Sequence, residues 1–393
     1  MDYKPIRVII SGGGTGGHIF PAISIANKLR ELNPETQILF VGAEGKMEME
    51  KVPAEGYQIV GLPMAGVQRH LSMKNLMNNL TVPFRLLGSV AQARRIVKDF
   101  KPDVVVGVGG YASAPLLWAA TGMKIPAVIQ EQNGFAGVTN KLLGKRVQSI
   151  CVAYEGMEKF FPADKLVMSG NPIREVLSRP ATQQQKAEGL EFFGLDAACK
   201  HIFVVGGSLG SGTLNRAMQH WIQDGCPDGE GVEIIWQCGK YYKKQTDAFM
   251  ESHPEIKGIR HYDFIGRMDL AYAVADMVIS RSGASTVSEL CAMGKSTVFV
   301  PSPNVAEDHQ THNAMALVRR NAALMVKDSE ALDELLPTAL GLLHSPDKIS
   351  QLQHNIESMA LRNASQIICD EIYKVSERSD KSPSPEERDL GRG

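Results

Sequence analysis

The side chains and backbone best suited to chemistry gather first in the stretch Ser11–Pro21, SGGGTGGHIFP. There, five glycines in six positions precede His18. Backbone without Cβ atoms at a strand-to-helix turn lets a ligand come close to the amides, and the helix N-terminus favours a phosphate. Gly12, Gly14 and Gly17 satisfy the GxGxxG spacing of dinucleotide sites, with Glu44 beyond the next apolar run as the ribose-binding acid. The GxxxxG half of a P-loop is also present. However, His18 and Ile19 stand where Lys and Ser/Thr are needed, so no P-loop is formed. A tight turn built for packing alone is the plain alternative. His18 offers an imidazole that is neutral near pH 7 and so able to accept a proton.

Further loops carry the same chemistry. VVGGSLGSGTLN (204–215) again lies between an apolar run and a helical pattern, and its Ser208 and amides suit a diphosphate. SRSGASTVSEL (280–290) opens another helix, with Glu289 two turns in as a carboxylate able to accept from a diol such as ribose. PNVAEDHQTHNA (303–314) crowds Asp308, His309, Gln310, His312 and Asn313. Without a completing carboxylate or cysteine cluster, these groups suit sugar hydroxyls better than a metal. GVGGYAS (107–113) and IQEQNGFAGVTNK (129–141) end apolar runs with Gly, Asn and Gln, and Glu131 is a second candidate base.

These loops need strands and helices to position them. Apolar runs at 7–11, 37–42, 57–63, 104–109, 126–131 and 149–154 read as strands buried on both faces. The pattern restarts at 201–208, 232–239, 259–266, 276–283, 296–302 and 323–328. Helical spacing between the runs gives an α/β fold of two doubly wound halves joined near Gly170–Arg174, as 393 residues lead one to expect. A net charge of −1 implies no general attraction to nucleic acid or membrane. Six cysteines without CxxC spacing read as free thiols in a reducing cytoplasm. The uncharged run Val104–Met123 is broken by Gly107, Gly109, Gly110 and Pro115, which favours strand, loop and helix over a membrane span. Residues 69–101 hold seven Lys/Arg against one acid, Asp99, among apolar residues at helical spacing. That pattern fits a membrane-surface element or an ordinary helix with a basic face. Residues 376–393 lack apolar anchors and read as a disordered tail.

Taken in order from residue 6 to about residue 370, the motifs GGGTGGHIFPA, GVGGYASAP, EQNGFAGVTNK, GNPIR, GGSLGSGTLN, SRSGASTVSEL and DHQTHNA resemble those of the MurG family. These are the UDP-N-acetylglucosamine (UDP-GlcNAc) transferases that act on undecaprenyl-pyrophosphoryl-MurNAc-pentapeptide (lipid I) in bacterial cell-wall synthesis. The resemblance implies a GT-B fold of two Rossmann-like domains facing a cleft. An acceptor- and membrane-facing domain at 1–173 would be completed by a helix at about 356–375, and a donor domain would span 174–355. It implies inverting transfer of GlcNAc, a chemistry for which His18 is the candidate catalytic base with Glu131 as the alternative. In that chemistry helix-start amides and Arg174 can stabilise the leaving diphosphate without metal or cofactor. Ile265 would meet uracil through its backbone and Glu289 the ribose. Ser208 and the turn running through Ala284, Ser285, Thr286, Val287 and Ser288 would hold the diphosphate, Arg174 would add positive charge, and Gln310 would hold the sugar. Thr15, Gly16, Gly17 and Asn133 would reach the donor from the other side, while glycines 12–14 and 109–110 would cradle the acceptor pyrophosphate. Where the family often has two glutamines, this chain has His309-Gln310. The implied setting is peripheral, on the anionic cytoplasmic face of the inner membrane, within a cell-wall synthesis complex and without nucleic acid. The competing readings are another glycolipid synthase of the same fold, an NAD(P)-dependent oxidoreductase and a non-catalytic nucleotide-sugar binder.

Overall fold

The computed structural model describes residues 3–63, 82–110, 112–207 and 209–380, without the side chains of 82–86, 306 and 378–380. Ser208, residues 69–81 of the basic segment and residues 381–393 of the tail therefore lie outside the described residues. The chain divides into two compact units, one formed by residues up to Ile173 and from Asn363 on, the other by Arg174–Arg362.

In the first unit the apolar runs form seven strands: β1 (Arg7–Gly12), β2 (Gln37–Ala43), β3 (Gln58–Leu62), β4 (Val104–Gly109), β5 (Ala127–Glu131), β6 (Ser149–Val152) and β7 (Leu166–Met168). They pair in parallel in the order β3-β2-β1-β4-β5-β6-β7. Successive residues face opposite sides, so each strand needs apolar residues at every position. Ile10 and Val106 pack with Ile25 and Leu29 of the helix Gly16–Leu32 and with Ile372 and Tyr373 of the helix Ala364–Asp380. Ile9 and Val105 face the other way, onto Val97, Leu116 and Leu143 from the helices Val82–Phe100, Ser113–Gly122 and Val138–Gly144.

The second unit repeats the plan with β8 (Lys200–Val205), β9 (Val232–Gln237), β10 (Ile259–Tyr262), β11 (Met277–Ser280), β12 (Thr297–Phe299) and β13 (Leu324–Met325). These are parallel in the order β10-β9-β8-β11-β12-β13. One face buries Trp221, Trp236 and Leu335, the other Phe203, Tyr272 and Leu290. In both sheets the strand order reverses beside the first strand, between β1 and β4 and between β8 and β11. Open parallel sheets bind ligands at the carboxyl ends of such strands.

Three expectations change. The edge strand β7 is too short and too exposed to leave an apolar run in the sequence. The helix that completes the first unit starts at Ala364, because residues 356–358 finish the helix Pro346–Ser358 of the second unit. It also continues to Asp380, five residues into the segment read as a tail. Val375 and Ser376 are buried, and the Ser376 hydroxyl donates to the Tyr373 carbonyl at 2.7 Å. The run Val104–Met123 resolves into β4 and the helix Ser113–Gly122, and no helix among the described residues is long and apolar enough to cross a membrane.

Candidate functional site

In the first unit the turn after β1 interlocks with the turn after β4. The Gly13 amide donates to the Gly109 carbonyl at 3.3 Å. A Cβ on Gly110 would lie 2.3 Å from the Gly13 carbonyl oxygen, and Gly109 and Gly110 take φ of +101° and +92°. Only glycine fits this close, left-handed crossing. The His18 ring lies against Gly109, where a Cβ would come within 2.6 Å of its Cδ2, and Nδ1 is 3.2 Å from the Thr15 hydroxyl oxygen. Gly16 and Gly17 begin the helix, so their amides have no acceptor in a preceding turn. Thr15, Gly16, Gly17 and His18 thus share one exposed helix start.

Glu131, the other candidate base, is turned inward. Its carboxylate accepts from the Asn133 amide at 3.1 Å, the Gly137 amide at 3.1 Å and the Asn140 side chain at 2.8 Å. Burial raises its pKa, and these hydrogen bonds oppose the rise. It organises the loop that presents Asn133. Beside it, buried Gln130 donates to Asn171 at 3.0 Å and Asn171 donates to the Gln132 carbonyl at 3.0 Å, which fixes the GNPIR segment to the end of β5. Glu44, the acid placed by GxGxxG spacing, is exposed, and Glu48 reaches the glycine turn instead.

In the second unit a cavity of about 490 Å³ opens at the carboxyl edge of the sheet, lined among others by Gly206, Ser211, Thr286, Ser302 and Gln310. The Gln310 side-chain oxygen accepts from the Ser302 amide at 2.9 Å, which turns its NH₂ end toward other partners. The turn entering its helix holds Glu307 and Asp308 at φ +55° and +50°, two successive non-glycine residues in the left-handed region. At the start of the helix Ala284–Met293, the Val287 amide closes onto the Gly283 carbonyl. There Ser288 donates to the Ala284 carbonyl at 3.0 Å, and the buried Ser285 hydroxyl has no hydrogen-bond partner among the described residues. The Ile265 amide donates to Gln237 at 2.9 Å, so only the Ile265 carbonyl remains for a nucleobase.

Glu289 points into the unit and is 8% exposed. Its Oε1 accepts from Nη2 and Nε of Arg174 at 3.0 and 3.2 Å. Burial raises its pKa and the Arg174 charge opposes that; the buried Tyr272 phenol is raised by burial first and by this carboxylate second. Two expected donor contacts therefore hold each other through Glu289 Oε1, with the Tyr272 phenol also beside the carboxylate. The sequence reading missed Arg281. Its Nε donates to the Ser211 hydroxyl at 2.9 Å and its Nη1 to the Val300 carbonyl at 2.8 Å, and it pairs with Asp328, tying the turns after β8 and β11 together. No spacing rule pointed to it, although an arginine directly after a buried strand and before glycine was the available signal.

Paired parallel sheets, each with a glycine turn at its switch point, and a polar cavity in the second define the class. Residues 8–152 match the glycosyltransferase family 28 N-terminal domain and residues 201–368 its C-terminal domain, and the chain belongs to this family. Within it, a Parabacteroides distasonis protein is 53% identical over 375 residues, covering 95% of this chain and 100% of its own. A Bacteroides fragilis protein is 50% identical over 374 residues, covering 95% and 97%. Both are named UDP-N-acetylglucosamine--N-acetylmuramyl-(pentapeptide) pyrophosphoryl-undecaprenol N-acetylglucosamine transferase. The crystal structure of Acinetobacter baumannii MurG superimposes with a TM-score of 0.74 at 30% identity, over 94% of this chain and all of that one.

Proposed function

We propose that this chain moves GlcNAc from UDP-GlcNAc to the MurNAc 4-hydroxyl of lipid I, giving lipid II for peptidoglycan. The observation that carries the reading is the end-to-end likeness to relatives named for this transfer, 53% identical across the whole of one of them. The acceptor hydroxyl attacks the anomeric carbon as UDP leaves, with inversion. His18 takes the hydroxyl proton, and the amides of Gly16 and Gly17 face the reacting groups. Amides and hydroxyls at the helix start 284–288 receive the diphosphate charge that grows as UDP departs. Glu289 holds the ribose while the Arg174 charge favours the ionised carboxylate against its burial, the Ile265 carbonyl meets uracil, and Gln310 donates to the sugar.

The enzyme works as a peripheral protein on the anionic cytoplasmic face of the inner membrane, where its acceptor is anchored, beside other cell-wall synthesis proteins. Support for the membrane face comes from the basic segment 69–101, of which Arg94 and Arg95 are exposed on the helix Val82–Phe100. The test is incubation with labelled UDP-GlcNAc and lipid I. Label appearing in the disaccharide lipid is expected, and label that stays with the nucleotide or passes to water overturns the reading.

A further inference from the structure

The resemblance implies that glycines 12–14 cradle a pyrophosphate, yet the amides of Gly13 and Gly14 are both spent inside the unit. Gly13 donates to the Gly109 carbonyl. Gly14 donates at 2.9 Å to Oε2 of Glu48, whose Oε1 accepts from the Ala43 amide at 3.0 Å. Glu48 is 1% exposed, at the start of the helix Glu48–Ala54 that follows β2. Two glycines exist to admit it. A Cβ on Gly13 would lie 2.2 Å from its Oε1, and one on Gly42 would lie 2.6 Å from its Cγ. Two N–H donors converge on two acceptor oxygens, which is the arrangement a glycine turn offers to a bound anion.

We propose that the Glu48 carboxylate is a built-in anion that takes the place of a phosphate at turn 12–14 and acts as a positioning residue for transfer. It locks Gly14, and through it Thr15 and the His18 ring lying on Gly109. Its negative charge repels a second anion from the turn, so the substrate meets the amides of residues 15–17 instead. The amides open to substrate thus begin one residue beyond the locked glycine. For its rate measurement the proposal rests on the transferase reading above.

The experiment compares Glu48→Ala and Glu48→Gln with the unaltered chain in sodium formate and in sodium chloride of equal ionic strength. Glu48→Gln keeps the volume, so it reports even where alanine weakens folding, and its NH₂ group must face one of the two amide donors. Both variants should lose about tenfold to a hundredfold in kcat, as loose placement of a reacting group costs. KM for UDP-GlcNAc should stay within about twofold, because the second unit holds the donor. Formate should fill the space left in Glu48→Ala, restoring rate and slowing hydrogen exchange at the Gly14 amide, and should do nothing for His18→Ala. An unchanged kcat, a loss confined to KM, or indifference of Glu48→Ala to formate overturns the proposal. Where the unaltered chain transfers no GlcNAc, the transferase reading fails, and Gly14 exchange decides on Glu48 alone: exchange identical in variant and unaltered chain overturns it.

Discussion

Substituting Glu289 by Gln tests the donor site most directly. The carboxylate sits on a well-formed helix at 8% exposure, with Oε1 committed to Arg174. Glutamine keeps the shape and one oxygen for Arg174, but places a neutral NH₂ where the ribose hydroxyl would find a carboxylate oxygen. A shielded, charge-assisted hydrogen bond contributes about 1.5–3 kcal/mol. At about 1.4 kcal/mol per decade, UDP and UDP-GlcNAc should bind about ten- to a hundredfold more weakly. The fold should persist, because the buried charge leaves with the substitution and Arg174, whose side chain is 41% exposed, remains hydrated. Titration calorimetry with UDP and its 2′,3′-dideoxy analogue measures the effect. The variant should lose affinity for UDP and little for the analogue, which has no diol. Equal discrimination between the two nucleotides by variant and unaltered chain refutes the assignment and leaves Glu289 a structural partner of Arg174.

Three further outcomes are expected. His18→Ala should lower turnover by about a hundredfold to ten-thousandfold with UDP affinity unchanged; turnover within about threefold of the unaltered chain rejects it as the base. Arg174→Met removes the charge that opposes the raised Glu289 pKa. A raised carboxyl favours the protonated folded state, so its stabilisation is present at acid pH and lost as pH rises through the raised value. The variant should therefore match the unaltered chain at acid pH and fall below it by about 1–2 kcal/mol at neutral pH, between the values for exposed and buried pairs. Denaturation followed by Trp221 and Trp236 in a Trp118→Phe background reads this for the second unit, and a gap that does not change with pH contradicts it. Replacing Arg94 and Arg95 by Gln should weaken binding to anionic vesicles by about 1 kcal/mol per charge, and undiminished binding removes this face from the membrane contact.

What the sequence made legible was whatever period and punctuation encode. Strands buried on both faces leave apolar runs, and glycine turns mark the carboxyl edges, so twelve of the strands and the glycine turns that follow them could be placed, whereas the strand order could not. A three-residue edge strand such as β7 has no period to read. The choice of Glu48 over Glu44 depends on a helix packed beside β2 and β3 whose first side chain reaches the turn after β1, which no spacing rule carries. Likewise Arg174 and Glu289, 115 positions apart, were each assigned to a ligand, whereas the fold brings them together. Residue types announced the capacity for chemistry; which partner satisfies each group is a tertiary fact.

The helix Ala364–Asp380 lies against the helix Gly16–Leu32, with Tyr3 donating to Asp370 at 2.7 Å and Cys369, Ile372 and Tyr373 buried. The second unit is thus an insertion within the first, entered after Ile173 and left before Asn363. On the ribosome the order of synthesis and the order of completion are therefore reversed. The unit translated first waits, one apolar face uncovered, until nearly the whole chain has emerged, while the inserted unit can close as soon as its own residues are made. A premature stop ahead of Ala364 would spare the cavity of the second unit and strand His18 in the half left open, a burden for chaperones and proteases rather than a partly working enzyme.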